Sequence, residues 1–182
     1  MSHISPVLTR KTLIDRIVFN AQTDQEMGYI NQVWVDWCLH QVIGFTCSQG
    51  LGSQSRRSFH WSQIEAIGLD SFYVSFQRPN PSPFEISDTL DFRIGHSLYS
   101  DTGHYMGQLI DYVVDQNLGT ITSYRFKFNR FNRAQQLINA GYESSYSLPP
   151  KAIGHIAEKQ MTLRPGAARM PTKAMSKAIT SA

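Results

Sequence analysis

The sequence is poor in the features that mark several large classes of protein. It has only two cysteines among 182 residues, which does not indicate a disulfide-stapled scaffold. No apolar run approaches the ~20 residues that a membrane-spanning helix needs. The N-terminal Met-Ser-His-Ile-Ser-Pro lacks the apolar core of a secretory signal. These absences predict a cytoplasmic protein without a transmembrane segment.

Catalytic signatures are also missing. The segment Gly-His-Ser-Leu-Tyr at 95–99 lacks the second glycine of a nucleophile elbow. The glycines near residue 50 are not followed by the Lys-Ser or Lys-Thr of a phosphate-binding loop. The six histidines show no His-x-x-x-His spacing. We therefore predict that the protein is not an enzyme and uses no cofactor, with an enzyme of unrecognised site as the alternative.

The two cysteines, Cys38 and Cys47, flank a predicted hairpin and can face each other across it. In a reducing compartment two buried thiols are favoured over a disulfide. The cysteines could also form a metal site with His40 and His60, but no Cys-x-x-Cys pair supports this. No metal site is therefore predicted.

The chain does contain a repeat. Residues 27–36 read Met-Gly-Tyr-Ile-Asn-Gln-Val-Trp-Val-Asp, and residues 106–115 read Met-Gly-Gln-Leu-Ile-Asp-Tyr-Val-Val-Asp. Farther along, a second set of apolar positions aligns at an offset that has grown from 79 to 89. The aligned pairs are Phe59 with Leu148, Ile64 with Ile153, Ile67 with Ile156, Phe72 with Met161, and Val74 with Leu163. Such a pattern indicates one structural unit used twice.

The repeated segments are rich in β-branched and aromatic residues, which favours strands. Alternation in the first repeat is imperfect, because Ile30 and Trp34 share one face while Val33 and Val35 share the other. A bulge near Asn31, or burial of both strand faces, would explain this. We predict an all-β protein of two small domains. The first domain covers residues 10–76 and the second, which includes a short helix, covers residues 92–163. A linker containing three prolines joins them at 77–91, and a basic tail follows at 164–182.

Charge is unevenly distributed along the chain. The formal net charge is +3, from 17 basic and 14 acidic residues. The tail alone holds Arg164, Arg169, Lys173 and Lys177 and no acid, so the rest of the chain is nearly neutral. Basic residues near an anionic membrane attract it by ~1 kcal/mol each. Weak peripheral membrane contact through the tail is therefore one expectation, and a disordered tail is the other.

The repeat also resembles a known family. Gly28, Asp36 and Gly44, followed by the segment Phe-His-Trp-Ser-Gln-Ile-Glu-Ala-Ile-Gly-Leu-Asp-Ser-Phe-Tyr-Val at 59–74, resemble the PRC-barrel family. That family has Pro where this chain has His60. In the second copy the Gly-x-Asp turn is replaced by Ala-Glu-Lys at 157–159. The resemblance covers residues 10–76 and, more loosely, 92–163.

The resemblance implies two tandem PRC-barrel-like β-barrels that serve as docking modules, without catalytic residues. Relatives cap the photosynthetic reaction centre, and a similar barrel in a ribosome maturation factor helps to bind a ribosomal protein. The implied function is a protein-binding scaffold in assembly of a larger complex, with a photosynthetic membrane complex as one candidate. An RNA- or ribosome-associated maturation factor is the alternative. Fold resemblance alone does not assign activity.

The best candidate binding surface is a basic and aromatic stretch in the second copy. Arg125 and Lys127 share one face of a predicted strand, and Tyr124 or Phe131 would be available for stacking. The proposed binding residues are Tyr124, Arg125, Lys127, Arg130 and Arg133. An acidic protein patch and RNA are both compatible partners, and a solvated strand face without function is the third interpretation.

Two aspartates close the repeated segments, Asp36 and Asp115. They could form a carboxylate pair. The simpler prediction is that each ends its strand by accepting hydrogen bonds from the backbone of the following turn.

Overall fold

The computed structural model describes residues 7–50, 56–76, 94–128, 145–157, 159–167 and 172–173. These residues are mostly in β-strands, and the one α-helix among them is α1 (Arg10–Leu13). Single 3-10 turns lie at Trp61–Gln63 and Pro150–Ala152. The all-β prediction is therefore confirmed. The short helix predicted in the second domain and the linker at 77–91 lie outside the described residues.

The first sheet contains β2 (Ile17–Asn20), β3 (Glu26–Asp36), β4 (Gln41–Ser48), β5 (Arg56–His60), β6 (Ile64–Ile67) and β7 (Ser71–Val74). Its strand order is β5-β4-β3-β2-β7-β6. Strands β2 and β7 run parallel, and the other neighbours are antiparallel.

The second sheet contains β1 (Leu8–Thr9), β8 (Ser97–Tyr99), β9 (Tyr105–Val114), β10 (Ile121–Phe128), β11 (Ser145–Leu148), β12 (Ile153–Ile156), β13 (Gln160–Leu163) and β14 (Thr172–Lys173). Its order is β12-β13-β8-β9-β10-β11-β14, and β1 pairs with β9.

Six strands of the second sheet follow the order of the first. Strands β11-β10-β9-β8-β13-β12 correspond to β5-β4-β3-β2-β7-β6, and β8 runs parallel to β13 as β2 does to β7. Cross-strand partners correspond as well. Phe45 lies opposite Phe59 as Tyr124 lies opposite Leu148, and Val18 lies opposite Phe72 as Leu98 lies opposite Met161. The sequence repeat therefore coincides with a repeat of strand order and register.

The glycine of the repeated Met-Gly has a steric reason in the first copy. Gly28 has φ +117°, and a Cβ built on it would lie 2.4 Å from the backbone oxygen of Ser48 on β4. A residue with a side chain could occupy this place only if the backbone moved. Gly107, the equivalent glycine of β9, also has positive φ, at +154°.

The aspartates at the strand ends shape two equivalent turns. Asp36 Oδ1 accepts hydrogen bonds from the backbone N–H of Cys38 and Leu39, both at 2.9 Å. Asp115 does the same at the end of β9, accepting from residues 117 and 118 at 2.9 and 3.0 Å. The turn-capping role is therefore confirmed for both carboxylates. Four residues beyond each aspartate the backbone turns left-handed, at His40 (φ 52°) and Gly119 (φ 70°).

The imperfect alternation in β3 has both of the predicted causes. The register with β4 shifts between Ile30 and Gln32, so Asn31 is the bulged residue. Farther along, Val33, Trp34 and Val35 are all buried, so this part of the strand is covered on both faces.

Contacts divide the chain into two compact units, 1–92 with 112–122, and 93–111 with 123–182. The hairpin turn between β9 and β10 thus belongs with the first unit, which the predicted boundaries did not anticipate. Backbone bonds explain this: Val42 N–H donates to Gly119 O at 2.8 Å, and Ile121 N–H donates to His40 O at 2.7 Å. The two equivalent turns therefore pair with each other, through the bridge between Gln41 and Thr120.

The start of the predicted tail is part of the second unit. Arg164 Nε donates to Ile153 O at 3.1 Å, Gly166 N–H donates to Asp101 Oδ2 at 3.2 Å, and Ala167 is buried. Residues 172–173 pair with β11 as β14. The expectation of a disordered tail is therefore wrong for these residues, because hydrogen bonds and strand pairing hold them in the second unit. Arg169 and Lys177 lie outside the described residues.

Candidate binding surface

Strand β10 separates apolar from basic side chains by simple alternation. Tyr124 and Phe126 are buried at 1% and 0% exposure, whereas Arg125 is half-buried and Lys127 is exposed. Successive strand residues point to opposite faces, so both basic side chains lie on the outward face. Residues two apart in a strand are separated by about 7 Å, a spacing that suits two carboxylates or two phosphates on a partner.

The neighbouring strand adds hydroxyl groups to this face. Arg125 lies opposite Ser147 and Lys127 lies opposite Ser145, and both serines are half-buried. We call Arg125, Lys127, Ser145 and Ser147 the basic face. Its side chains supply hydrogen-bond donors and two positive charges, which suits an anionic partner.

Tyr124 does not belong to the basic face, and its assignment as a surface binding residue is wrong. Its ring packs inside the second unit, beside Leu98 and Leu148. Burial raises the pKa of the Tyr124 phenol above its ordinary value. A buried ring cannot stack on a nucleobase. Arg130, Phe131 and Arg133 lie outside the described residues, so their roles stay predictions.

His60 and Ser62 form a hydroxyl–imidazole pair in the first unit. Ser62 Oγ lies 2.7 Å from His60 Nδ1, and the same nitrogen accepts a hydrogen bond from Ser62 N–H at 3.1 Å. The imidazole therefore caps the 3-10 turn at the position where the resembled family has Pro. Burial lowers the pKa of His60, which is consistent with a neutral acceptor. The arrangement is explained by turn structure.

The two cysteines differ in environment. Cys47 is buried in β4 and Cys38 is exposed in the turn after β3, and neither is disulfide-bonded. The prediction of two buried thiols is therefore wrong for Cys38, because the turn carries it to the surface. No cluster of three or more His, Cys, Asp or Glu suited to a metal occurs in the described residues.

We expect only one of the two thiols in the native protein to react quickly with a disulfide reagent at pH 8. Burial raises the pKa of Cys47 to about 11, so roughly one part in a thousand would be thiolate at that pH. Titration with a disulfide reagent should detect Cys38 at once and Cys47 only after denaturation. The Cys38→Ser variant, which should show no fast reaction, is the control. Rapid modification of two thiols in the folded wild-type protein would contradict the assignment.

Within the described chain, no helix has the length and apolar character required to cross a bilayer. Compared with known proteins, the sequence matches no family description and no curated protein.

Proposed function

We propose that this protein is a non-catalytic binding module, built from two PRC-barrel-like units, that docks an acidic protein partner during assembly of a larger complex. The observation that carries the proposal is the alternation in β10, which turns Arg125 and Lys127 outward while Tyr124 and Phe126 fill the core.

Curvature of the first sheet supports the barrel part of the proposal. Phe45 on β4 and Phe72 on β7 are separated in the strand order by β3 and β2. Their rings nevertheless lie 5.5 Å apart between centroids, and both are buried. Side chains of distant strands meet in this way when a sheet curls around its own core.

An acidic protein fits the basic face better than single-stranded RNA does. Sequence-tolerant binding of single strands depends on aromatic rings that stack on bases. Of the two rings predicted for that purpose, Tyr124 is buried, and Phe131 lies outside the described residues. Charge complementarity with carboxylates needs only the two cations. A role in assembling a membrane complex, including a photosynthetic one, is the form of this function that the family resemblance suggests. RNA binding is the alternative outcome of the test below.

The test is charge reversal on the basic face. We expect the Arg125→Glu/Lys127→Glu variant to bind its protein partner roughly tenfold more weakly, because two attractions become repulsions. The full chain would be immobilised and exposed to lysate with and without nuclease, and partner recovery measured at several salt concentrations. The matched control is Lys151→Glu/Lys159→Glu, which changes the net charge equally at two exposed lysines of the same unit.

Partners that survive nuclease, are retained by the control and are lost with the basic-face variant would support the proposal. Loss of all partners after nuclease would favour the RNA function instead. Equal recovery by the basic-face variant and the wild-type protein would reject the basic face.

A further inference from the structure

A second candidate site lies in the first unit. An open groove of about 350 Å³ lies beside strand β6, a volume in the lower range of ligand pockets. It is lined by Trp61, Ile64, Glu65, Ala66, Ile67, Gln116 and Asn117. Strand β6 forms one wall, and the turn between β9 and β10 forms the other.

Strand β6 is the last strand in its sheet order. Gly68 N–H donates to Ser71 O at 2.8 Å, which makes these two residues a hydrogen-bonded pair of the β6–β7 hairpin. Hydrogen-bonded and non-hydrogen-bonded pairs alternate along antiparallel strands. The next pair, Ile67 opposite Phe72, is therefore non-hydrogen-bonded, so the N–H and C=O of Ile67 point away from β7. An edge of this kind can accept another strand.

The opposite wall is held firmly. Asp115 Oδ1 accepts hydrogen bonds from the backbone N–H groups of Asn117 and Leu118. In addition, Gly119 N–H donates to Asp115 O at 2.9 Å. The turn lies directly on Trp61, because a Cβ on Gly119 would come within 2.9 Å of the indole ring. Asn117 is exposed, and a side-chain amide can both donate to and accept from a peptide backbone.

The groove lies at a position where the two repeats carry different residues. The residue of the first turn that corresponds to Gln116 is Trp37, which is 4% exposed and packs edge-on against Tyr112 at 6.0 Å. The first turn thus places a large buried ring where the second turn has a half-buried glutamine that lines open space.

The charge in the groove indicates what it would bind. Of the described residues that line it, only Glu65 is ionisable. Glu65 is exposed, and its Oε1 accepts a hydrogen bond from Gln22 Nε2 at 3.2 Å, which orients the carboxylate. Leu118, which follows Asn117 in the turn, is 64% exposed. The lining therefore suits a backbone that adds hydrogen bonds along β6, together with a positive side chain beside Glu65.

We propose that this groove binds an extended segment of a partner protein that carries a lysine or arginine, adding the segment as a strand beside β6. Main-chain hydrogen bonds supply affinity in this mode, and side chains supply specificity. The residues of the groove belong to the first unit, whereas those of the basic face belong to the second.

The experiment uses the isotope-labelled full chain and the blocked peptide acetyl-Thr-Val-Lys-Val-Thr-amide as the probe. We expect dose-dependent shifts of backbone amide resonances at residues 64–67 and 116–117. Methylation of alternate peptide nitrogens should weaken binding about tenfold, because the main-chain hydrogen bonds to β6 are lost. Replacing the peptide's lysine with glutamate should weaken binding as well.

Two protein variants complete the test. Gln116→Trp would fill the groove with the residue that the first turn carries, and should abolish the shifts. Glu65→Lys, at an exposed position, should reverse the preference between the lysine and glutamate peptides. The Arg125→Glu/Lys127→Glu variant should bind the lysine peptide as the wild-type protein does, which keeps this result independent of the basic face. Absent shifts at millimolar peptide, shifts located elsewhere, or binding that ignores N-methylation would overturn the proposal.

Discussion

The Phe45→Ala variant is expected to lose about 4 kcal/mol of unfolding free energy in the first unit. This value lies within the usual range for replacing a buried phenylalanine with alanine. Phe45 is 1% exposed, and its ring contacts Phe59 at 5.9 Å and Phe72 at 5.5 Å between centroids. These two partners come from β5 and β7. Deleting the ring removes the contact that joins opposite sides of the core, and it leaves a cavity that rigid strands cannot close.

The measurement is denaturant unfolding followed by tryptophan emission. All three tryptophans, Trp34, Trp37 and Trp61, lie in the first unit, so the signal reports that unit alone. The control is Tyr29→Ala, which removes an aromatic ring that is 43% exposed and should cost well under half as much. Similar losses for the two variants would show that Phe45 is not a central packing residue.

Gly119→Ala is expected to cost about 3 kcal/mol. Gly119 has φ +70°, and its added Cβ would lie 2.7 Å from Val42 O and 2.9 Å from the Trp61 ring. An L-residue in the left-handed region costs roughly 1 kcal/mol. The steric conflict with a backbone oxygen and a buried indole adds about 2 kcal/mol, because the Val42 oxygen belongs to a strand that cannot move freely.

Gly103→Ala separates these two contributions. Gly103 has φ +81°, close to that of Gly119, and nothing lies within 4 Å of its added Cβ. It should therefore show only the cost of backbone conformation, about 1 kcal/mol. Calorimetric unfolding of both variants measures the difference. Equal losses would mean that the turn does not press on Trp61, and the wall of the groove would then be misplaced.

Much of the fold was visible in the sequence because it follows from local chemistry. Met-Gly at two places marked two strands whose glycines have positive φ. Asp36 and Asp115 marked two turns, since a carboxylate two or three residues before a free N–H can cap it. Alternation in β10 predicted that Arg125 and Lys127 share a face. Each of these features depends on neighbours a few residues away.

Other features could not be predicted because they depend on segments that meet only after folding. Tyr124 looked available for stacking, since alternation says which residues share a face but does not say which face is covered. The pairing of the turn at Gly119 with Val42 had no signal in the repeat, although it decides which unit the turn belongs to. The groove beside β6 was missed for the same reason.

By itself, the sequence determined that this protein is built of β-strands, where the repeated turns fall, and which residues alternate along β10. Periodicity, glycine conformation and side-chain capping involve residues that are close together in the sequence, so they can be predicted from it. Only the tertiary structure decided that Tyr124 is core, that Arg164 is bonded within the second unit, and that Trp61 supports a groove between β6 and the turn at Asn117. Those outcomes require contacts between residues far apart in the chain, and residue order does not specify which distant surfaces meet.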